Sequence, residues 1–178
     1  AVTEEILEGR AEHYKADIPD GVLLLTAAVD VQDNRFEIEV RGWARDYETW
    51  GIYKTELYGD LEKNEAWKDL EEYLETTFFY ADGLGLNIAA TAIDTGGSHT
   101  TRVYKWVKYM KSSGKRVYGI KGYDGKEKTD LIHKRSVGYI KERTRNGKEV
   151  IVDTTELVIL GVNTGKEDIS SRLKIDVP

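Results

Sequence analysis

The chain has no cysteine, only three histidines, and no apolar run near the roughly 18 residues that suggest a membrane-crossing helix. Without cysteine there are no disulfides and no thiolate metal sites, so a metal must be held by oxygen or by imidazole. The histidines, at 13, 99 and 133, do not have the spacing of a zinc site. No secretory signal opens the sequence, there is no internal repeat, and no linker is long enough to split the chain. No membrane association is expected, and the lack of cysteine suits a reducing cytoplasm. A complete phosphate-binding loop is also missing. Gly161-Val-Asn-Thr-Gly165-Lys166 comes close, but it is one residue short and has Glu167 where Ser or Thr belongs.

At 178 residues, 40% hydrophobic and 10% aromatic, the chain has enough apolar mass for one core. Its net charge of −6 is unevenly spread. Residues 1–101 carry 8 Lys and Arg against 22 Asp and Glu, a balance of −14. Residues 102–149 carry 15 against 5, a balance of +10. A basic block beside an acidic one suits a protein that meets a polyanion on one side and gathers cations on the other. A well-solvated charged hairpin would give the same pattern.

The hydrophobic pattern predicts an α/β fold. An acidic, helix-prone opening segment, Thr3 to Lys15, ends at the Ile18-Pro19-Asp20-Gly21 turn. The run Val22 to Val31 is apolar on both parities and reads as a strand buried on both faces. Phe36, Ile38 and Val40 alternate with charged residues, and Trp50 to Tyr58 supplies a third strand of an antiparallel meander. Trp67, Leu70, Leu74 and Phe78 then fall at helical spacing, with Asn64 as the expected N-cap. Asn87 to Ile93 is a second buried strand, Val103 to Met110 a second helix, and Arg116 to Ile120 a further strand. Asn146-Gly147 marks a hairpin between Val137–Arg143 and Glu149–Val152. Leu157 to Val162 reads as one more strand and Lys166 to Leu173 as a closing helix. The order predicts a mixed sheet, a meander followed by βαβ units, with helices on its faces.

Two acidic residues stand out. Asp30 follows Val22-Leu-Leu-Leu-Thr-Ala-Ala-Val29, and Asp94 follows Ile88-Ala-Ala-Thr-Ala-Ile93. A carboxylate in such surroundings is costly unless paired, hydrogen-bonded or bound to a cation. Each also has a plain structural role open to it: Asp30 starting a solvated turn, Asp94 capping the next helix. If their strands are neighbours, the two carboxylates emerge together and can share divalent cations. Two such ions roughly 3.5–4 Å apart can activate water and stabilise both charge and leaving group in phosphodiester hydrolysis. Mg²⁺ or Mn²⁺ fits this oxygen-only inventory. After Asp94, Gly96 and Gly97 would let backbone N–H groups approach a phosphate, and His99 lies where it could touch one or simply cap the helix.

The stretch Pro19-Asp-Gly-Val-Leu-Leu-Leu-Thr-Ala-Ala-Val-Asp-Val-Gln-Asp-Asn-Arg-Phe-Glu37 resembles the start of the nuclease domain in large terminase subunits of lambda-like tailed phages. The similarity continues at Ala92-Ile-Asp-Thr-Gly-Gly-Ser-His-Thr100, Val117-Tyr-Gly-Ile-Lys-Gly122 and Gly161-Val-Asn-Thr-Gly-Lys166. The resemblance implies an RNase H-like fold and a metal-dependent endonuclease that cuts concatemeric double-stranded DNA during packaging. Asp30 and Asp94 take its metal-ligand positions, and two Mg²⁺ or Mn²⁺ ions are implied. Lys121, in the matching Ile-Lys-Gly element, is a candidate DNA contact, joined by Lys126 and Lys128 in the basic block. The family implies a terminase small subunit and a portal as partners, and an oligomeric motor. Residues 1–18 would end the connection from a packaging ATPase, and 19–178 would be a nuclease domain cut before its last helix. The usual late acidic ligand would then be missing, with Asp168 as the nearby substitute. Two other readings remain open: a non-catalytic DNA-binding or motor-docking module, and an actin-like ATP-binding domain.

Overall fold

The structure is a computed structural model that describes residues 2–125 and 127–175, apart from the side chain of Asp46. Its elements are α1 (Glu4–Glu8), β1 (Leu24–Val31), β2 (Arg35–Trp43), β3 (Thr49–Tyr58), α2 (Asn64–Leu74), β4 (Thr77–Phe79), β5 (Gly85–Asp94), α3 (Thr100–Ser112), β6 (Val117–Tyr123), β7 (Ile132–Arg143), β8 (Glu149–Gly161) and α4 (Val162–Arg172). One sheet runs β3-β2-β1-β5-β6-β8-β7, with β4 beside the start of β5. The first three strands form the antiparallel meander. β1, β5, β6 and β8 are mutually parallel, and β7 returns antiparallel to β8. This is the mixed sheet expected of the RNase H-like class.

Helices α2 and α3 cover one face, and the main core lies between them and the sheet. Ala27, Val29, Phe36, Ile38 and Ile93 meet Trp67, Leu70, Val103, Trp106 and Val107 there. Phe36 meets the Trp67 ring edge-on at 4.9 Å, and Trp67 tilts against Trp106 at 5.6 Å. Both indoles place their N–H groups, Trp67 on the Leu61 carbonyl at 2.9 Å and Trp106 on Glu71 at 3.0 Å. Neither indole therefore leaves its N–H unpaired in the core, whereas the buried Tyr73 hydroxyl at its margin has no partner among the described residues. A smaller cluster of Ile18, Val22, Leu25, Val40 and Phe78 closes the end of the sheet where β1 begins.

Several sequence expectations change here. β1 is not buried on both faces: Leu25, Ala27 and Val29 are buried, whereas Leu24, Ala28 and Asp30 are exposed. The alternation follows from α2 and α3 packing on the same side, which leaves the other parity of β1 uncovered. Apolar composition alone could not show this, because small residues such as Ala28 tolerate either environment. The opening helix is confined to Glu4–Glu8, capped by Thr3 and ended at Gly9. α2 stops at Leu74, so Phe78 reaches the core from β4, and Lys63 rather than Asn64 is its N-cap residue. Leu157 to Gly161 is no separate strand but the end of the 13-residue β8. The Gly161–Lys166 segment enters α4 directly, with Gly161 as its N-cap.

α3 is fastened to the sheet by ion pairs as well as by its apolar stripe. Lys105 meets Glu142 at 2.6 Å, Lys111 meets Glu156 at 2.8 Å, and Lys108 pairs with Asp153. α4 buries none of its residues. Its start passes Gly122, and its end is held by Arg10, which donates to the carbonyls of Leu173 and Ile175 at 3.2 and 2.6 Å.

Candidate active site at the carboxyl ends of the parallel strands

In open α/β sheets, ligands gather beyond the carboxyl ends of the parallel strands, where loops are free to vary. β1 and β5 are parallel neighbours here, paired Ala28 to Ala92 and Val29 to Ile93. Asp30 and Asp94 each come one residue later. Val29 and Ile93 both point into the core, so the alternation of side chains turns both aspartates to the opposite, open face. Asp30 is exposed and Asp94 half-buried. The sequence had suggested a costly buried carboxylate at Asp30. The structure instead gives an accessible one, and the case for it rests on its position beside Asp94.

Each carboxylate is oriented by a donor two residues further along. The Gln32 side-chain amide donates to Asp30 Oδ2 at 2.5 Å, and the Gly96 backbone N–H donates to Asp94 Oδ1 at 3.1 Å. Neither aspartate has a cationic partner among the described residues. Arg35, at the start of the neighbouring β2, is committed elsewhere: it contacts Glu37 at 2.6 Å and Glu56 at 4.0 Å. Its hydrogen bond to Glu37 holds the Arg35 guanidinium even more firmly protonated than usual. Glu37 faces Asp30 across the antiparallel pair, so Arg35 compensates the outer acids and leaves the central ones uncompensated. That is a local field that attracts cations.

The turn after Asp94 is tightly tied. Thr95 is buried, and both its N–H and its hydroxyl donate to the Ile120 carbonyl, at 3.0 and 2.9 Å. Neither Gly96 nor Gly97 has a positive φ. Their value lies in what a side chain would touch: a Cβ at Gly96 would stand 3.4 Å from both Asp94 carboxylate oxygens, and one at Gly97 would stand 3.4 Å from the Val31 carbonyl.

His99 is the N-cap residue of α3, and its ring is engaged at both nitrogens. Nδ1 lies 2.9 Å from Glu62 Oε1 and Nε2 lies 3.1 Å from the Asp33 carbonyl. Beside it, the Ser98 hydroxyl donates to Asp33 Oδ1 at 3.0 Å. Gln32, Asp33, Glu62 and Ser98 were not singled out by sequence reasoning. Gln32, Asp33 and Ser98 lie inside the VDVQDNR and IDTGGSHT stretches, whereas nothing in the sequence pointed to Glu62.

The remaining candidates are more scattered. Lys121 is exposed on β6 one position after Ile120, the residue opposite Asp94, and so projects from the other face of the sheet. Lys128 is exposed in the loop before β7, and Lys126 lies outside the described residues. Asp168 is exposed on α4. Among the described residues, no three His, Asp or Glu side chains converge into a ready-made metal cage.

A family model described as the endonuclease domain of the terminase large subunit gpA matches residues 1–178. This chain belongs to the terminase large-subunit endonuclease-domain family. The terminase large subunit of Escherichia phage lambda is 32% identical over 171 residues, covering 96% of this chain and 24% of that protein. The terminase large subunit of Enterobacteria phage P21 is 29% identical over 172 residues, covering 97% and 24%. The chain thus spans about a quarter of the length of these relatives. No solved structure matches. For this terminase endonuclease domain, the edge bearing Asp30 and Asp94 is the candidate active site, and no helix among its described residues is long and apolar enough to cross a membrane.

Proposed function

We propose that this terminase endonuclease domain hydrolyses phosphodiester bonds of double-stranded DNA with divalent cations held by Asp30 and Asp94. The observation that carries the reading is the register: two carboxylates on adjacent parallel strands, at one level and on one face, with no counter-cation among the described residues. The donor set suits a hard cation. Mg²⁺ and Mn²⁺ take oxygen ligands, and Mg²⁺ commonly binds through one or two carboxylates while keeping several waters. When bound, such ions supply Lewis acidity and an activated water.

The chain's own groups prepare the site. Gln32 and Gly96 fix which carboxylate oxygens face outward. The absence of a side chain at Gly96 leaves the Asp94 carboxylate accessible. The start of α3, with its unpaired backbone N–H groups, presents a positive end near the place where a DNA phosphate would lie. In the host cytoplasm, the substrate in this reading is concatemeric viral DNA, and the partners are a terminase small subunit and a portal.

The test is Mn²⁺-dependent nicking of supercoiled plasmid by the intact large subunit. Asp30→Ala and Asp94→Ala are each expected to abolish nicking while the far-ultraviolet circular dichroism stays unchanged. Parental nicking rates in either variant would remove the assignment.

A further inference from the structure

The geometry points to His99, together with Ser98, as a positioning clamp that sets the separation of the Asp30 and Asp94 carboxylates. This rests on the site proposed above but gives His99 a different role from that of a phosphate contact. Asp33 lies in the turn between β1 and β2, three residues after Asp30, and is gripped twice from the turn after β5. The Ser98 hydroxyl takes its side chain and His99 Nε2 takes its main-chain carbonyl. A carbonyl only accepts, so Nε2 carries the hydrogen. Nδ1 shares the other ring hydrogen bond with Glu62, which brings in the loop between β3 and α2.

The imidazole side chain is only 12% exposed, whereas that of Glu62 is 76% exposed. The ring therefore lies within the junction rather than beside it. Three loops meet on one side chain, and two of them follow directly on the strands that carry the candidate ligands. The two gripped turns also lead, through short stretches of backbone, to the groups that orient both carboxylates. Gln32, next to Asp33, donates to Asp30, and Gly96, two residues before Ser98, donates to Asp94. Other charged groups at the junction are Asp60, whose carboxyl feels the His99 ring, and Lys63, which lies 3.4 Å from Asp60. With both nitrogens occupied, the ring has no donor left for DNA. Groups that orient ligands from behind typically change metal affinity by about 10- to 100-fold when removed.

The test compares His99→Ala and Glu62→Gln with the parent in the intact large subunit, by three measurements. In amide hydrogen exchange without metal, His99→Ala is expected to speed exchange at the Asp33–Arg35 turn and at Gly96–Gly97, with Ala27–Val29 unchanged. In Mn²⁺ titration it is expected to weaken binding by about 10- to 100-fold. In metal-free duplex binding it is expected to change affinity less than twofold. Glu62→Gln keeps an acceptor for Nδ1 and is expected to retain most of the parental Mn²⁺ affinity. Unchanged exchange at both turns overturns the clamp. So does a loss of duplex affinity with the salt slope shallower by about 1, which marks a phosphate contact instead. Altered exchange in a protein that never nicks DNA would leave the clamp standing and remove only the nuclease reading.

Discussion

Asp30 and Asp94 leave neighbouring parallel strands at the same level, each one residue past a paired core residue, Val29 and Ile93. Everything distinctive about the site follows from that step. The core fixes the register, because a slip of one residue would exchange the buried and exposed faces of β1. The two carboxylates are therefore placed by hydrophobic packing some distance from the chemistry. Weakening that packing should cost stability before it costs ligand identity.

Phe36 tests this dependence. It is fully buried, stands opposite Val31 in the strand pair, and meets Trp67 edge-on. Phe36→Ala should destabilise the fold by about 3–5 kcal/mol, the usual range for a buried aromatic truncated to alanine. Urea unfolding followed by tryptophan fluorescence reads it directly. A loss below about 1 kcal/mol would show that Phe36 is not central to the core.

Gly96 tests access to the site. A methyl group there would stand 3.4 Å from both oxygens of Asp94, ordinary contact rather than a clash. Gly96 is not at positive φ, so alanine should fold normally. Gly96→Ala is expected to leave thermal stability within about 0.5 kcal/mol of the parent. Its Mn²⁺ requirement for nicking should rise several-fold, because the methyl occupies space beside the ligand oxygens. An unaltered Mn²⁺ midpoint would show that ions do not approach Asp94 from that side.

Much of this was legible in the sequence, and what was missed has physical causes. The meander, the two βα units and the Asn146-Gly147 hairpin follow from periodicity and turn chemistry. The pairing of β1 with β5 was foreseen as a condition, and Asp30 and Asp94 were found because each ends an apolar run. The open face of β1 was not visible, since Leu24, Thr26 and Ala28 read as core although no described helix covers them. The Asp33–Ser98–His99–Glu62 junction was invisible for another reason. Its members lie up to 66 positions apart, and turn residues carry no periodic signal. The basic block showed its net charge but not its partners.

Those partners give a pH prediction. Hydrogen bonds from Lys111 and Arg135 hold the Glu156 carboxyl below its usual value, and hydrogen bonds from Lys108 and the Thr154 N–H do the same for Asp153. Both carboxyls are depressed in the folded state. Their stabilisation is therefore present above the ordinary carboxylate range and is lost as pH falls through their folded values. The groups are largely exposed, so the effect is small and screened by salt. Glu156→Gln should flatten the acid limb of a stability-versus-pH curve while changing little at neutral pH. An acid limb identical to the parent would show that these pairs do not contribute.

The same pairs divide the basic block into two classes. Lys105, Lys108, Lys111 and Lys115 each contact a carboxylate of the protein itself, whereas Lys121 and Lys128 form no ion pair among the described residues. A cation already neutralised within the fold has less charge to offer a phosphate. In metal-free duplex binding followed across salt concentrations, Lys121→Ala and Lys128→Ala should each reduce affinity. Each should also make the plot of log affinity against log salt shallower by about 0.9, the value for one lost phosphate contact. The combined variant Lys105→Ala/Lys108→Ala should leave that slope unchanged and lose a little stability instead. If the α3 pair changed the slope and Lys121 did not, DNA would approach over α3 rather than past the end of β6.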